Sequence, residues 1–312
     1  FITLPKEPGG SMTRRMIGGA KTGNGSYGYG AFQSGSTDDG RISYKLGVGR
    51  GKITLTMHPK LLPNGLEYTN TYDYAVVGSA RLHLADRRIS FGPSVDFRQL
   101  HSKLDFDGLP DQLANALDRK LNTGALGFGL HFDSRDNTLS PKRGINVYVE
   151  GKFNAGAFGS DRDFQTYQAH GYAFLPLSTR WTLASKLELD AVRGNYPAYF
   201  AQSVNLRGVE ARRYQGSGEA SAEFELTRQI SSRWSLLGFG GFGYADAGSK
   251  RIFDNSDVIF AGGAGFRYLI ARKMGLTSGT DVAVGPGGAT FYLQFGHAWG
   301  CLLYTSPSPR DQ

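Results

Sequence analysis

Two pairs of side chains in this 312-residue sequence could do acid–base or metal chemistry by type and spacing. His131 and Asp133 stand two apart, as do Glu223 and Glu225, and on a strand residues i and i+2 share a face. The first pair is half of a metal or general-base site, and the second could serve as a carboxylate dyad. Neither is completed by its surroundings in the sequence. The remaining histidines, His58, His83, His101, His170 and His297, are dispersed and form no His-x-x-His or His-x-x-x-His pair. Lumen filling is therefore the simpler reading of His131 and Asp133. The one cysteine, Cys301, lies in CLLYTSPSPRDQ (301–312), which reads as translated sequencing-adapter sequence and is set aside from the fold. That removes thiol catalysis, disulfides and Cys-bound metal. A lipase in a membrane would need a Ser–His pair on the lipid face, and no strand offers one. The chain is expected to be no enzyme, with no catalytic residue, metal or cofactor.

The elements that carry these residues alternate with period two. Leu126, Phe128, Leu130 and Phe132 alternate with Gly127, Gly129, His131 and Asp133. Ile145, Val147, Val149 and Phe153 do so with Asn146, Tyr148, Glu150, Lys152 and Asn154. The same holds for Trp181, Leu183, Leu187 and Leu189, for Ala220, Ala222, Phe224 and Leu226, and for Phe291, Leu293, Phe295 and Trp299. A soluble sandwich would alternate likewise, with its apolar face inward. Three features favour a membrane barrel instead. Strands run to about ten residues, the length of a tilted membrane strand. Polar faces carry several ionised groups. Trp181, Tyr196, Trp234, Tyr268 and Trp299 recur near strand ends, where interfacial girdles sit.

The connections point the same way, because short and long links alternate as in outer-membrane barrels. Ala85–Arg88, Leu177–Arg180, Arg228–Arg233 and Ile270–Met274 are short. Gly51–Thr69, His101–Thr123, Asn154–Asp163, Val192–Gly218 and Ala245–Asp257 are long. Ser134–Arg143 is long for its side and Gly285–Gly288 tight for its own. Gln112–Lys120 is compatible with a short helix, with a loop ornament preferred. Ser11–Thr22 and Gly25–Ser34 read as moderate strands. The expectation is an all-β, antiparallel transmembrane β-barrel over residues 1–300, about fourteen strands being visible.

Bulk properties agree. No apolar run reaches the ~18 residues of a spanning helix, and mean hydropathy is −0.33, which a barrel with only alternate residues in lipid can have. Net charge is +8, but the basic residues are scattered, so no nucleic-acid partner is expected. Gly reaches 44 residues and aromatics 12%, neither collagen-like nor disordered.

Three segments, in order and spacing, resemble the BamA/TamA superfamily of bacterial surface-antigen barrels. They are Phe132-Asp133-Ser134-Arg135-Asp136-Asn137 with Pro141-Lys142-Arg143-Gly144, then Leu206-Arg207-Gly208-Val209 with Arg213-Tyr214-Gln215-Gly216, and last Gly263 to Tyr268 through Phe291 to Trp299. The resemblance implies sixteen strands, so that one hairpin's worth is missing before Ser11, and a re-entrant loop in the lumen. Its Arg, here Arg207, would pair with acidic groups on the following strands. Glu225 is the first candidate partner and Glu223 the second. The family's Phe-x-Asp pattern reads Phe239-Gly240-Gly241 here, so Asp281 or a backbone carbonyl would substitute. Phe291, Leu293, Phe295 and Trp299 resemble the C-terminal aromatic insertion signal, and their strand would pair with the first to close the barrel.

The resemblance further implies a short, barrel-only branch in a bacterial-type outer membrane. Its partners would be the bilayer and client outer-membrane proteins or lipids. The implied function is aid to insertion or translocation of proteins or lipids, through a seam beside the terminal strand. A passive pore or a structural barrel without assembly activity is the alternative.

Overall fold

In a computed structural model the described residues are 2–3, 13–23, 25–57, 66–84, 86–105, 119–246, 258–272 and 275–299. Among them, fifteen strands form one antiparallel sheet in chain order. A two-residue β1 (Ile2–Thr3) is followed by β2 (Arg14–Lys21), β3 (Tyr27–Ser36), β4 (Ile42–Met57) and β5 (Leu66–His83). Next come β6 (Ile89–Asp105), β7 (Arg119–Asp133), β8 (Gly144–Asn154), β9 (Phe164–Pro176) and β10 (Trp181–Gly194). The short β11 (Gln202–Ser203) and β12 (Gln215–Gly216) form a ladder of their own, so β10 pairs directly with β13 (Gly218–Gln229). The sheet ends with β14 (Trp234–Asp246), β15 (Ile259–Ala271), β16 (Leu276–Gly285) and β17 (Gly288–Phe295). The expected strands are present, β1 being a stub beyond the fourteen.

Side-chain exposure decides which way the alternation faces. Phe128 is 56% exposed and Leu293 59%, while Glu223 and Glu225 are each 2% exposed and Asp281 is 0%. Ile145, Val147, Phe153, Leu187, Leu189 and Phe224 are exposed as well, and Asn146, Glu150, Lys186 and Glu188 are buried. A protein in water would reverse this, since exposed aliphatic surface forfeits roughly 25 cal/mol per Å². In hydrocarbon the same surface is at home, and the sheet satisfies its backbone polar groups between strands. This is the arrangement of a transmembrane β-barrel. No helix of the described residues is long and apolar enough to cross a membrane, which says nothing about crossing by strands.

Several expectations are corrected. β4, β5, β6 and β7 run 16, 18, 17 and 15 residues, beyond the ~10 that cross a bilayer. The links read as Gly51–Thr69 and His101–Thr123 therefore lose 51–57, 66–69, 101–105 and 119–123 to strands, and 58–65 and 106–118 lie outside the described residues. Lys120 is on β7, not in a helix, and 112–118 of that reading lie outside the described residues. Tyr196 is buried rather than part of a girdle. The chain divides into two compact units, Phe1–His131 with Val149–Tyr167 and Val192–Phe200, and Phe132–Tyr148 with Gln168–Ala191 and Ala201–Gln312.

In the first unit, Gly127 and Gly129 on the polar face of β7 act as empty seats. A Cβ at Gly127 would lie 2.6 Å from both Lys152 Cγ and Ser94 Oγ. Across that gap Ser94 donates to Glu150 at 2.7 Å, and Lys152 lies 3.1 Å from Glu150 and 3.7 Å from Asp96. Arg98 forks onto Asp96, two residues away on β6. Tyr199, in a turn of 3-10 helix at Ala198–Phe200, buries its ring against Leu100 and Tyr72.

Candidate functional site

The second unit holds all three segments that the sequence singled out. The loop between β10 and β13 begins as a narrow ladder, Gln202–Ser203 against Gln215–Gly216, with Val204 N–H donating to Tyr214 O. The ladder seats on the barrel wall because Gly216 lies flat against Asp246, where a Cβ would fall on its carbonyl. Ser217 N–H donates to that carbonyl at 2.8 Å. At the tip, Val204, Leu206 and Val209 pack with Ala245 and Ile259, joined by Tyr214 and Ala261. The room for them is made by glycine: a Cβ at Gly241 would lie 3.1 Å from Leu206 Cδ2, and one at Gly243 would overlap Val204. Gly241 is the position where the Phe-x-Asp pattern lacks its carboxylate, and a Cβ there would press first on Ala222 O, at 2.5 Å, and then on Leu206.

Arg207 points into a cage of acids. Its backbone N–H donates to Glu223 Oε2 at 3.1 Å, its Nε to Glu223 Oε1 at 2.9 Å and its Nη1 to Asp281 Oδ2 at 2.8 Å. Nη2 lies 2.8 Å from Glu225 Oε2 and 2.9 Å from Glu223 Oε1, as ion pairs off the N–H directions. The guanidinium carbon sits 3.6 Å above the Phe239 ring centroid, a cation–π contact on its remaining face. Glu223 thus makes the hydrogen bonds that sequence reasoning gave first to Glu225. Asp281 supplies the further carboxylate and is itself held by Arg267, whose Nη2 donates to Oδ2 at 2.9 Å. Asp281 fits because its register partner is Gly265, where a Cβ would fall on Asp281 Oδ1.

The residue after Arg207 turns the tip. Gly208 has φ +92° and lies against Val284 and Ala283 on β16, a conformation and a clearance that only glycine meets without strain. Its N–H donates to Tyr292 Oη at 2.9 Å. Arg213 pairs with Glu210 at 3.5 Å on the loop's exposed side.

Besides Phe239, Arg267 and Tyr292, two further contributors were not assigned to the site from the sequence. Lys186 on β10 donates from Nζ to Asn205 O at 2.6 Å and to Glu188 Oε2 at 3.0 Å, and Asn205 Nδ2 donates to Glu188 Oε2 at 3.0 Å. This second tether holds the loop just before Arg207. In the sequence Lys186 and Glu188 merely alternate with Leu187 and Leu189. The other contributor is Trp299, expected on the outward face with Phe291, Leu293 and Phe295. Those three are exposed, but β17 ends at Phe295 and Gly296 has φ +77°, so the chain turns inward. Trp299 Nε1 donates to Glu223 Oε1 at 2.7 Å, and His297 Nε2 lies 3.4 Å from Glu225 Oε1. The Trp299 ring stacks near Tyr172 and Phe174.

The first motif is a capped turn reaching the same end. Asp133 receives a fork from Arg135 at 2.9 and 2.8 Å, which occupies the acid that had been weighed against His131. Asn137 Oδ1 accepts from the N–H groups of Leu139 and Ser140, and Asp136 Oδ1 from those of Lys142 and Arg143. Leu139 O accepts from His297 N–H at 2.7 Å, and Ser140 and Thr277 share a hydroxyl contact at 3.0 Å. No described group of three or more His, Cys, Asp or Glu could hold a metal.

A family model described as the Omp85 superfamily domain matches residues 26–208. Among solved structures, BamA from Haemophilus ducreyi lacking POTRA domains 1–3 is similar at TM-score 0.60 and 14% identity, over 91% of this chain and 69% of that one. CdiB from Escherichia coli is similar at TM-score 0.66 and 11% identity, over 91% of this chain and 57% of that one. CdiB from Acinetobacter baumannii gives 0.53 and 9%, over 94% and 55%. At these identities the likeness is one of fold, and the chain spans little more than half the length of the two CdiB chains. No curated protein matches the sequence.

Proposed function

The chain belongs to the Omp85 superfamily and is an outer-membrane β-barrel, and from that premise we propose that it aids the insertion or translocation of proteins or lipids at the outer membrane. It would act without covalent chemistry, its substrates being client outer-membrane proteins or lipids. The observation that carries the reading is Arg207, a loop residue held by three strand carboxylates in a barrel of this superfamily. A loop fixed at that strength is a part of the machine, shaping the polar face that a client would meet. Leu206, Gly208, Val209, Tyr214 and Gly216 give it its seat. Phe291, Leu293 and Phe295 are read as the strand by which the protein itself is recognised for insertion, with Trp299 assigned to the Arg207 cage.

The test is refolded protein in vesicles, presented with an urea-unfolded outer-membrane barrel whose folding is followed by gel migration. Client folding is expected to accelerate over empty vesicles, and R207A to lose most of the acceleration while keeping its own strand content. No acceleration, accompanied by steady ion conductance that R207A raises, would replace this reading with a passive pore.

A further inference from the structure

The outer surface of β10 and β13–β15, at the end where the short links lie, carries a group of cations that the Arg207 site does not use. Three successive short links there read Leu177-Ser178-Thr179-Arg180, Ile230-Ser231-Ser232-Arg233 and Ala271-Arg272-Lys273-Met274-Gly275. Each contains an arginine and none contains an acid. Arg228 adds a fourth guanidinium on the outward face of β13, directly opposite Trp181 in the β10–β13 register. Arg180, Arg228, Arg233 and Arg272 are all exposed. Of the carboxylates of these strands, Glu188, Glu219, Glu223 and Glu225 are buried, Asp190 is half-buried beside His170, and exposed Asp246 closes β14 at the end opposite Trp234.

Two of these arginines, Arg228 and Arg233, are held at a fixed level by aromatic rings. Arg228 Cζ lies 5.3 Å from the Trp181 ring centroid, and Arg233 Cζ lies 5.7 Å from that of Tyr268. Arg233 Nη1 also donates to Tyr268 Oη at 2.9 Å. Trp234 packs beside Tyr268 with centroids 4.9 Å apart and beside Phe266 at 5.7 Å. Leu236, Phe266 and Leu226 continue the same face as exposed apolar residues. Trp and Tyr on the outer face of a barrel mark headgroup depth. Guanidiniums attached to them are therefore presented where phosphates lie, next to the acyl chains.

We propose that Trp181, Arg228, Arg233, Trp234 and Tyr268, with the turn arginines Arg180 and Arg272, form a binding surface for the headgroups of anionic phospholipids in the adjacent leaflet. Charge complementarity and continuity with the lipid-facing band commit the surface to membrane lipid rather than to a soluble acidic partner. Other short links show that this is local. In Thr37–Arg41, Asp39 pairs with Arg41 at 3.6 Å and its carbonyl accepts from Arg87 at 3.1 Å, while Asp86 caps the N–H of Arg88. Each of those turns carries an acid of its own, Asp39 or Asp86, beside its basic residues.

The experiment is lipid titration of the refolded full chain in micelles, with phosphatidylglycerol or phosphatidylcholine, and bound lipid counted by native mass spectrometry. Phosphatidylglycerol should be retained preferentially. Each arginine near the surface is worth about a fivefold change in retention, so R228Q/R233Q should lose most of the preference while R41Q/R87Q keeps it. Heat-dependent gel migration certifies that each variant is folded. If R228Q/R233Q does not refold, R180Q/R272Q, confined to turns, is expected to halve the preference or more. Equal retention of the two lipids overturns the proposal. So does a preference that survives the arginine changes, or binding of a soluble acidic peptide in place of phosphatidylglycerol.

Discussion

The two compact units bury ionised side chains by the same device and to different ends. In the first, glycines on β7 let Ser94, Glu150, Lys152 and Asp96 meet across an intervening strand. Every member is strand-borne, so the cluster fastens wall to wall. In the second, glycines on β14 and β15 leave seats filled by Leu206, Val204 and Asp281, and the cation they enclose arrives on a loop. An empty seat is thus a general way to put large polar groups on a crowded face. Whether it stiffens the wall or captures a loop depends on where the filling side chain originates.

Removing one cation from each cluster should separate them most sharply. R207A leaves Glu223, Glu225 and Asp281 with a deficit of buried positive charge, and breaking such a buried pair costs about 3–5 kcal/mol. R98A strands only Asp96, which keeps Lys152 nearby, and about a quarter of Arg98 is exposed. Its expected cost is about 1 kcal/mol or less. Denaturant unfolding monitored by gel migration checks both, and equal losses would erase the distinction between wall and loop clusters.

Filling the seats should divide the units by protease sensitivity. G243V would collide with Val204, where a Cβ already overlaps it, at an overpacking cost of about 1–3 kcal/mol. The loop should then be displaced and cut by trypsin at Arg212 or Arg213. G127V collides with Lys152 and Ser94 at a similar cost but has no loop to release, so no new fragment is expected. The smallest effect is Y292F. It removes the acceptor of the Gly208 N–H and should cost about 1 kcal/mol, with faster amide exchange at the loop tip alone.

The outward face was readable residue by residue, since Leu126, Phe128, Val147 and Leu293 carry the period-two pattern without interruption. Arg207 and Gly208 were readable through the motif, and Asp281 as a substitute acid, because buried guanidinium demands carboxylate. What escaped depends on register and on backbone turns. That Glu223 rather than Glu225 faces the Arg207 Nε and backbone N–H depends on how the loop docks, which strand alternation does not specify. Trp299 has the parity of Phe295, so alternation alone keeps it outward, and the positive φ of Gly296 undoes that parity. On β4 the outward face passes from Leu46 and Val48 to Ile53 because the register shifts between Gly49 and Gly51, so strict alternation is lost there and Ile53 reads as link. Tyr199 gave no pattern because an aromatic in a 3-10 turn has no periodic neighbours.

The cage around Arg207 also ties a loop to a strand far along the chain. Its last wall, Asp281, stands 74 residues downstream of the arginine it receives, whereas strands neighbour one another in chain order. The guanidinium therefore stays incompletely covered until β16 is in place beside β15. Protection of the loop should accordingly appear no earlier than that of β16, making the latch a report that the strands walling the cage have come together.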